Sequence, residues 1–295
     1  MLERARIGIL VWASFAIGCS VPPSSIPDAT SLSDTFPDPA STDAAVASRC
    51  TETPTEISCT YQTTTFAALA VQRPARYQTP LGVAPPGGWP VVVYFQGSLT
   101  PAENAFHATS DAALGQFQLT RTIKALLDSG YAVIAPDSIV ELAWQTNVPP
   151  YSLTWPTTSD NAFLLSIFSG ITDGKLGPLD PTRMYAMGIS SGGYMTSRMA
   201  VSYPGKFRAL VVHSASYATC GLTCQIPSVL PVDHPPTLFL HGAQDPIVPI
   251  AQMQLYRDQL AQQGHVVDTL IDPTAGHEWL SAAVPAVGAW FDAHP

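Results

Sequence analysis

Pro90-Val91-Val92-Val93-Tyr94-Phe95 is a short, continuous apolar run, the pattern of a strand covered on both faces. Tyr131 to Ala135, Met184 to Ile189, Leu210-Val211-Val212, Leu238-Phe239-Leu240 and His265 to Ile271 repeat that pattern along the chain. Between them the apolar period lengthens to that of helices. Leu119, Ile123, Leu126 and Leu127 fall on one face of a segment stopped by Gly130. Asp160 opens a second helix carrying Phe163, Leu164 and Ile167, and a third runs from about Gly192 to Ser202. Met253, Tyr256 and Leu260 mark a fourth helix ending at Gly264, and Leu280 to Phe291 a fifth. Glu56 to Gln62 and Phe66 to Gln72 read as two early antiparallel strands. Strand–helix alternation of this kind implies an α/β fold, a mostly parallel central sheet with helices on both faces. Reactive groups are then expected at the carboxyl ends of the strands.

The N-terminus breaks the rhythm. Glu3, Arg4 and Arg6 precede an apolar run from Ile7 to Ile17 and then Gly18-Cys19, which is the physics of an export signal over residues 1–19. The run is too short to cross a bilayer, which needs about 20 apolar residues. Ala16-Ile17-Gly18-Cys19 resembles a bacterial lipobox with Ala16 in place of the usual Leu, so a lipid on Cys19 is the one membrane attachment expected. Residues 20–48, dominated by Ser, Pro, Asp, Thr and Ala, bury too little apolar surface to fold and read as a tether. Residues 49–295 are then one catalytic-sized domain, and the expected location is extracellular or anchored at the outer membrane.

Composition adds exclusions. The net charge is −9, with 13 Lys and Arg in 295 residues, so there is no electrostatic footprint for nucleic acid. Beyond Cys19, four cysteines remain: Cys50, Cys59, Cys220 and Cys224. In an exported chain an even count reads as disulfides. Three pairings are open, with the local pairs Cys50–Cys59 and Cys220–Cys224 preferred. A zinc site is the weaker reading, because Cys-x3-Cys has no matched second pair.

Gly188-Ile189-Ser190-Ser191-Gly192 carries the chemistry. It matches G-x-S-x-G between an expected strand and an expected helix, where a sharp turn lifts one hydroxyl above the sheet edge. Only Ser190 has Gly two residues before and after it, so Ser190 is the expected nucleophile. Ser191 is placed to lend a backbone N–H to an oxyanion. A serine needs a base, and the base an orienting carboxylate. His277 lies in the loop after the last strand, which suits the chain order Ser, Asp, His. Asp245, in the loop after Thr237 to Leu240, is the preferred acid, with Asp272 its rival. His213 and His241 also end strands but precede the acid positions and read as wall or packing residues.

That order belongs to the α/β-hydrolase fold. Within it the chain resembles the extracellular medium-chain-length polyhydroxyalkanoate depolymerases, on Gly188-Ile189-Ser190-Ser191-Gly192 and a single catalytic domain with nothing appended. More distantly it is similar to feruloyl and acetylxylan esterases. The resemblance implies hydrolysis of a water-insoluble aliphatic polyester through an acyl-enzyme, with no metal or organic cofactor. Related enzymes commonly carry His-Gly after the third strand. Here Gln96-Gly97-Ser98 stands there, and the N–H of Ser98 or Gly97 is the expected second oxyanion donor. Trp144, Tyr151 and Trp155, with Tyr194 and Tyr217, are candidates for an apolar substrate groove. A feruloyl, acetylxylan or general carboxylesterase is the alternative enzyme. A surface-binding lipoprotein on a hydrolase scaffold is the alternative from another class.

Overall fold

The computed structural model describes residues 47–139, 143–221 and 224–295. The expected export signal, Cys19 and nearly all of the tether lie outside these residues.

Three short strands, Cys50–Glu52 (β1), Glu56–Cys59 (β2) and His107–Thr109 (β6), form a small antiparallel sheet in the order β1-β2-β6. The large sheet begins with Gln62–Ala68 (β3) and Val71–Gln78 (β4). Trp89–Phe95 (β5), Ala132–Pro136 (β7), Leu179–Ile189 (β8) and Ala209–His213 (β9) supply its centre. Thr237–Gly242 (β10) and Val267–Asp272 (β11) complete it, in the order β11-β10-β9-β8-β5-β7-β4-β3. Every pair from β11 across to β7 is parallel, and only the β7–β4 and β4–β3 pairings are antiparallel. The helices are Gln116–Asp128 (α1), Ser159–Thr172 (α2), Ser191–Ser202 (α3), Ile250–Gln262 (α4) and Ala283–Asp292 (α5).

The continuous apolar runs have the physical cause expected of them. Along β5, Val92 and Tyr94 join a core with Leu119, Ile123 and Phe291, from α1 and α5. Val91, Val93 and Phe95 face the opposite way, against Phe163, Ile167 and Met199 of α2 and α3. Alternate residues therefore feed different cores, and neither face of the strand has room for a polar residue.

Two readings of the sequence shift. The early strands are four rather than two, and the β3–β4 hairpin turns at Leu69-Ala70 with Leu69 at φ 58°. The α2 helix is capped by Thr158, whose side chain accepts the Asn161 N–H. Asp160 is turned inward instead, onto the Arg73 guanidinium at 2.6 Å, with both side chains buried. The cysteines pair as Cys50–Cys59 and Cys220–Cys224, the first joining residues directly opposite each other on β1 and β2.

Candidate active site

Strand β8 runs straight into helix α3 through Ser190, which holds φ 57° and ψ −125°. A non-glycine residue there is strained, and the surroundings fix it. Its N–H donates to the His213 carbonyl and its carbonyl accepts the Tyr194 N–H, each at 3.0 Å. The flanking glycines are required by contact. A Cβ on Gly192 would stand 1.9 Å from the Phe95 carbonyl oxygen, and one on Gly188 2.4 Å from the Gly192 carbonyl oxygen. The N-terminus of α3 lies immediately after Ser190, bringing its free N–H groups and dipole to this turn.

His277 and Asp245 arrive from the carboxyl ends of the two last strands. The His277 Nδ1 lies 2.7 Å from Asp245 Oδ2. The other carboxylate oxygen, Oδ1, accepts the N–H groups of Ile247 and Val248, both at 2.8 Å. Burial pushes the Asp245 carboxyl up, but the His277 bond and the two backbone donors outweigh it and hold it below the ordinary carboxylate range. Asp272 is committed elsewhere. Its Oδ1 accepts from Thr274 N–H, Thr274 Oγ1 and Ala275 N–H, folding the loop that leads to His277.

His213 and His241 are walls. His213 is fully buried, stacks on Trp279 with ring centres 4.8 Å apart, and accepts the Leu280 N–H at Nε2. Burial first, then the neighbouring histidines, drives its basicity well below the ordinary value, so it stays neutral. His241 donates through Nε2 to the Val248 carbonyl at 2.8 Å, bracing the loop that carries Asp245.

Ser190 and His277 line one cleft of about 320 Å³. Its walls include Tyr94, Leu99, Leu114, Leu119, Ile189, Ile247 and Trp279, and Gly97 and Ser98 also face it. Leu99, Leu114 and Ile247 are exposed around it, Leu99 by 74% and Ile247 by 64%. The Gln96 amide, oriented to satisfy both ends, donates to the Pro136 carbonyl at 2.8 Å and accepts the Ser138 N–H at 3.1 Å. That anchors the start of the loop behind Gly97 and Ser98.

The aromatic groove expected from sequence takes a different form. Trp144 is buried edge-on against Phe95, its indole N–H donating to the Gln96 carbonyl. Trp155 packs on Tyr203 beneath the Arg198 guanidinium. Tyr194 and Tyr217 belong to the core around α4, with Tyr217 edge-on to Tyr256. Tyr151 is exposed, and none of the five lines the cleft. The physical reason is that large aromatics beside a sheet edge bury more area in the core than in an open groove. Most of the true lining was marked by adjacency: Leu99 follows Ser98, Ile247 is two residues after Asp245, and Trp279 two after His277. Leu114 carried no such mark.

The profile of the prolyl oligopeptidase family matches residues 174–225, a span that includes the Ser190 turn. Over 260 residues the chain is 50% identical to the poly(3-hydroxyoctanoate) depolymerase of Pseudomonas fluorescens, covering 85% of this chain and 93% of that protein. The chain belongs to the poly(3-hydroxyoctanoate) depolymerase family. It is a serine ester hydrolase of the α/β-hydrolase fold. The reading as a non-catalytic binding lipoprotein therefore falls away. Feruloyl esterase B of Thermothelomyces thermophilus is 32% identical over 121 residues, 41% of this chain and 40% of that protein. A ferulic acid esterase from Anaeromyces mucronatus superposes with a TM-score of 0.60 at 13% identity, covering 82% of this chain and 93% of that one. That likeness is one of fold. Among the described residues no helix is long and apolar enough to cross a membrane.

Proposed function

We propose that this depolymerase-family hydrolase is exported and cleaves medium-chain-length poly(3-hydroxyalkanoate) with Ser190, His277 and Asp245. The carrying observation is that Ser190, on its strained turn, and His277, bonded to Asp245, open onto one predominantly apolar cleft. The Ser190 hydroxyl attacks the ester carbonyl while His277 Nε2 takes its proton. Asp245 holds the Nδ1 proton and steadies the imidazolium. The N–H groups of Ser191 and of Ser98 or Gly97 hold the oxyanion. The tetrahedral adduct collapses, His277 returns the proton to the departing alcohol oxygen, and an acyl-Ser190 ester remains. Water, deprotonated by His277, then cleaves that ester to a carboxylic acid and free serine. Every step balances without a cofactor.

The apolar walls suit an aliphatic side chain, and the rim of Leu99, Leu114 and Ile247 suits a water-insoluble surface. Two disulfides and the apolar N-terminal run ending in Gly18-Cys19 support export, with Cys19 the candidate lipid anchor. The feruloyl esterase relative favours one second reading, release of aryl acids from plant polysaccharide.

Clearing of a poly(3-hydroxyoctanoate) emulsion, beside poly(3-hydroxybutyrate) and methyl ferulate, separates these substrates. Preferential clearing of the octanoate polymer by wild type, and none by Ser190→Ala, is the expected result. Rapid ferulate release without clearing of the octanoate polymer overturns the polyester reading. Equal hydrolysis by wild type and Ser190→Ala overturns the nucleophile.

A further inference from the structure

We propose that the Tyr94 hydroxyl is a specificity-determining donor that hydrogen-bonds the oxygen on carbon 3 of the acyl unit being cleaved. The proposal rests on the polyester reading above and names what in the cleft distinguishes a 3-oxyacyl chain from a plain fatty acyl chain.

Tyr94 is the penultimate residue of β5, opposite Met187 of β8 and four residues before Ser98 in the loop that follows. Its ring stands edge-on to Trp279, 6.1 Å between centres, and both rings line the cleft that Ser190 and His277 share. Only 2% of Tyr94 is exposed. Even so, its hydroxyl makes no hydrogen bond among the described residues. Nor is its oxygen one of the sealed, unpartnered polar atoms, which among the described residues belong to Arg73, Gln118, Ser197, His241 and Trp290. The oxygen of Tyr94 therefore opens onto the cleft.

The other polar side chains in that wall are already engaged or half exposed. Thr100 donates to the Gly97 carbonyl at 2.9 Å, and Asn104 donates to Gln116 at 2.6 Å. A phenol placed on an apolar wall without a protein partner costs stability unless a ligand or water completes it. Burial raises its pKa above the ordinary tyrosine value, so at neutral pH it keeps its proton and acts as a donor. Phenylalanine fills nearly the same volume and serves the apolar wall equally well, so packing alone gives no reason for the hydroxyl. What it adds is a hydrogen bond to something bound.

A poly(3-hydroxyalkanoate) segment presents an oxygen on carbon 3 of every acyl unit, two bonds beyond the carbon attached to the scissile carbonyl. A plain octanoyl chain presents only CH2 there. An apolar cleft with one inward donor accepts both chains and favours the one with the oxygen.

The test compares kcat/KM on p-nitrophenyl 3-hydroxyoctanoate and p-nitrophenyl octanoate for wild type and Tyr94→Phe. Wild type is expected to favour the hydroxy ester. Tyr94→Phe is expected to lose about fivefold on the hydroxy ester, the worth of one neutral hydrogen bond, and to hold its rate on the plain ester. An unchanged ratio of the two substrates overturns the proposal. So does a parallel fall on both, which assigns Tyr94 to shaping the cleft alone. Emulsion clearing by wild type is read separately: its failure removes the polyester reading, while the ratio still decides what Tyr94 does.

Discussion

The Ser191 hydroxyl accepts the backbone N–H of Trp144 at 2.9 Å, deep in the protein. Its neighbour Ser190 has its side chain on the cleft. Ser191→Ala is therefore expected to retain most of the esterase activity and to lose about 1–3 kcal/mol of stability, because a buried N–H is left without its acceptor. Thermal melting beside an ester assay checks both halves. Asp245→Asn should behave in the opposite way. Asparagine Oδ1 can still take the Ile247 and Val248 N–H groups, so the loop survives, but its amide favours the wrong ring tautomer of His277. A fall in kcat of about a thousandfold to ten-thousandfold is expected with melting nearly unchanged. Asp272→Asn is the control, since Asp272 folds its own loop and leaves His277 to Asp245.

At the scale of elements, what was legible in the sequence depended on how completely each strand is buried. β5, β7, β9 and β10 are almost wholly buried, so their composition is nearly all apolar and their places were readable to within a residue or two. Only the buried Met184–Ile189 end of β8 was readable, and its start at Leu179, before the partly exposed Asp180-Pro181-Thr182-Arg183, was not. The β3–β4 hairpin was not. Its turn at Leu69-Ala70 has none of the usual Gly, Asn or Asp, and Pro74 lies inside β4, one residue before the stretch that β7 pairs. The Ser190 turn was readable because its glycines answer to contact. The Tyr94 hydroxyl was hidden for the converse reason, since an apolar strand reads the same whichever residue borders a cavity. Gly192→Ala tests the contact account. Its Cβ has no room against Phe95, so β5 and α3 must separate. Loss of at least a hundredfold in activity is expected, together with a lowered melting temperature, whereas alanine at Gly276, with no atom within 4 Å of the added Cβ, should change melting little.

Across the whole molecule, acid stability is set by histidines that are buried neutral. His234 donates from Nδ1 to the Pro235 carbonyl at 2.8 Å and receives the Tyr256 hydroxyl at Nε2 at 2.6 Å. Burial lowers its pKa from 6.5 to about 4. Because the unfolded chain binds this proton more readily, stability is full above pH 6.5 and falls as the pH drops to about 4. At 1.36 kcal/mol per unit, that interval removes about 3 kcal/mol. His213, sealed behind Trp279 and lowered in the same direction, adds to the loss. Denaturant unfolding between pH 7 and 4 checks the slope. His234→Gln should flatten the part that His234 contributes.

Those two histidines also bear on how far the enzyme can run. Each ester bond hydrolysed releases one carboxylic acid, so in a poorly buffered film the enzyme acidifies the water layer in which it works. Its own product moves the medium toward the range where His234 and His213 draw protons and the fold loosens. Hydrolysis then slows with ester still present, and resupply of base rather than of enzyme restarts it. Buffering capacity thus becomes as much a determinant of yield as the catalyst.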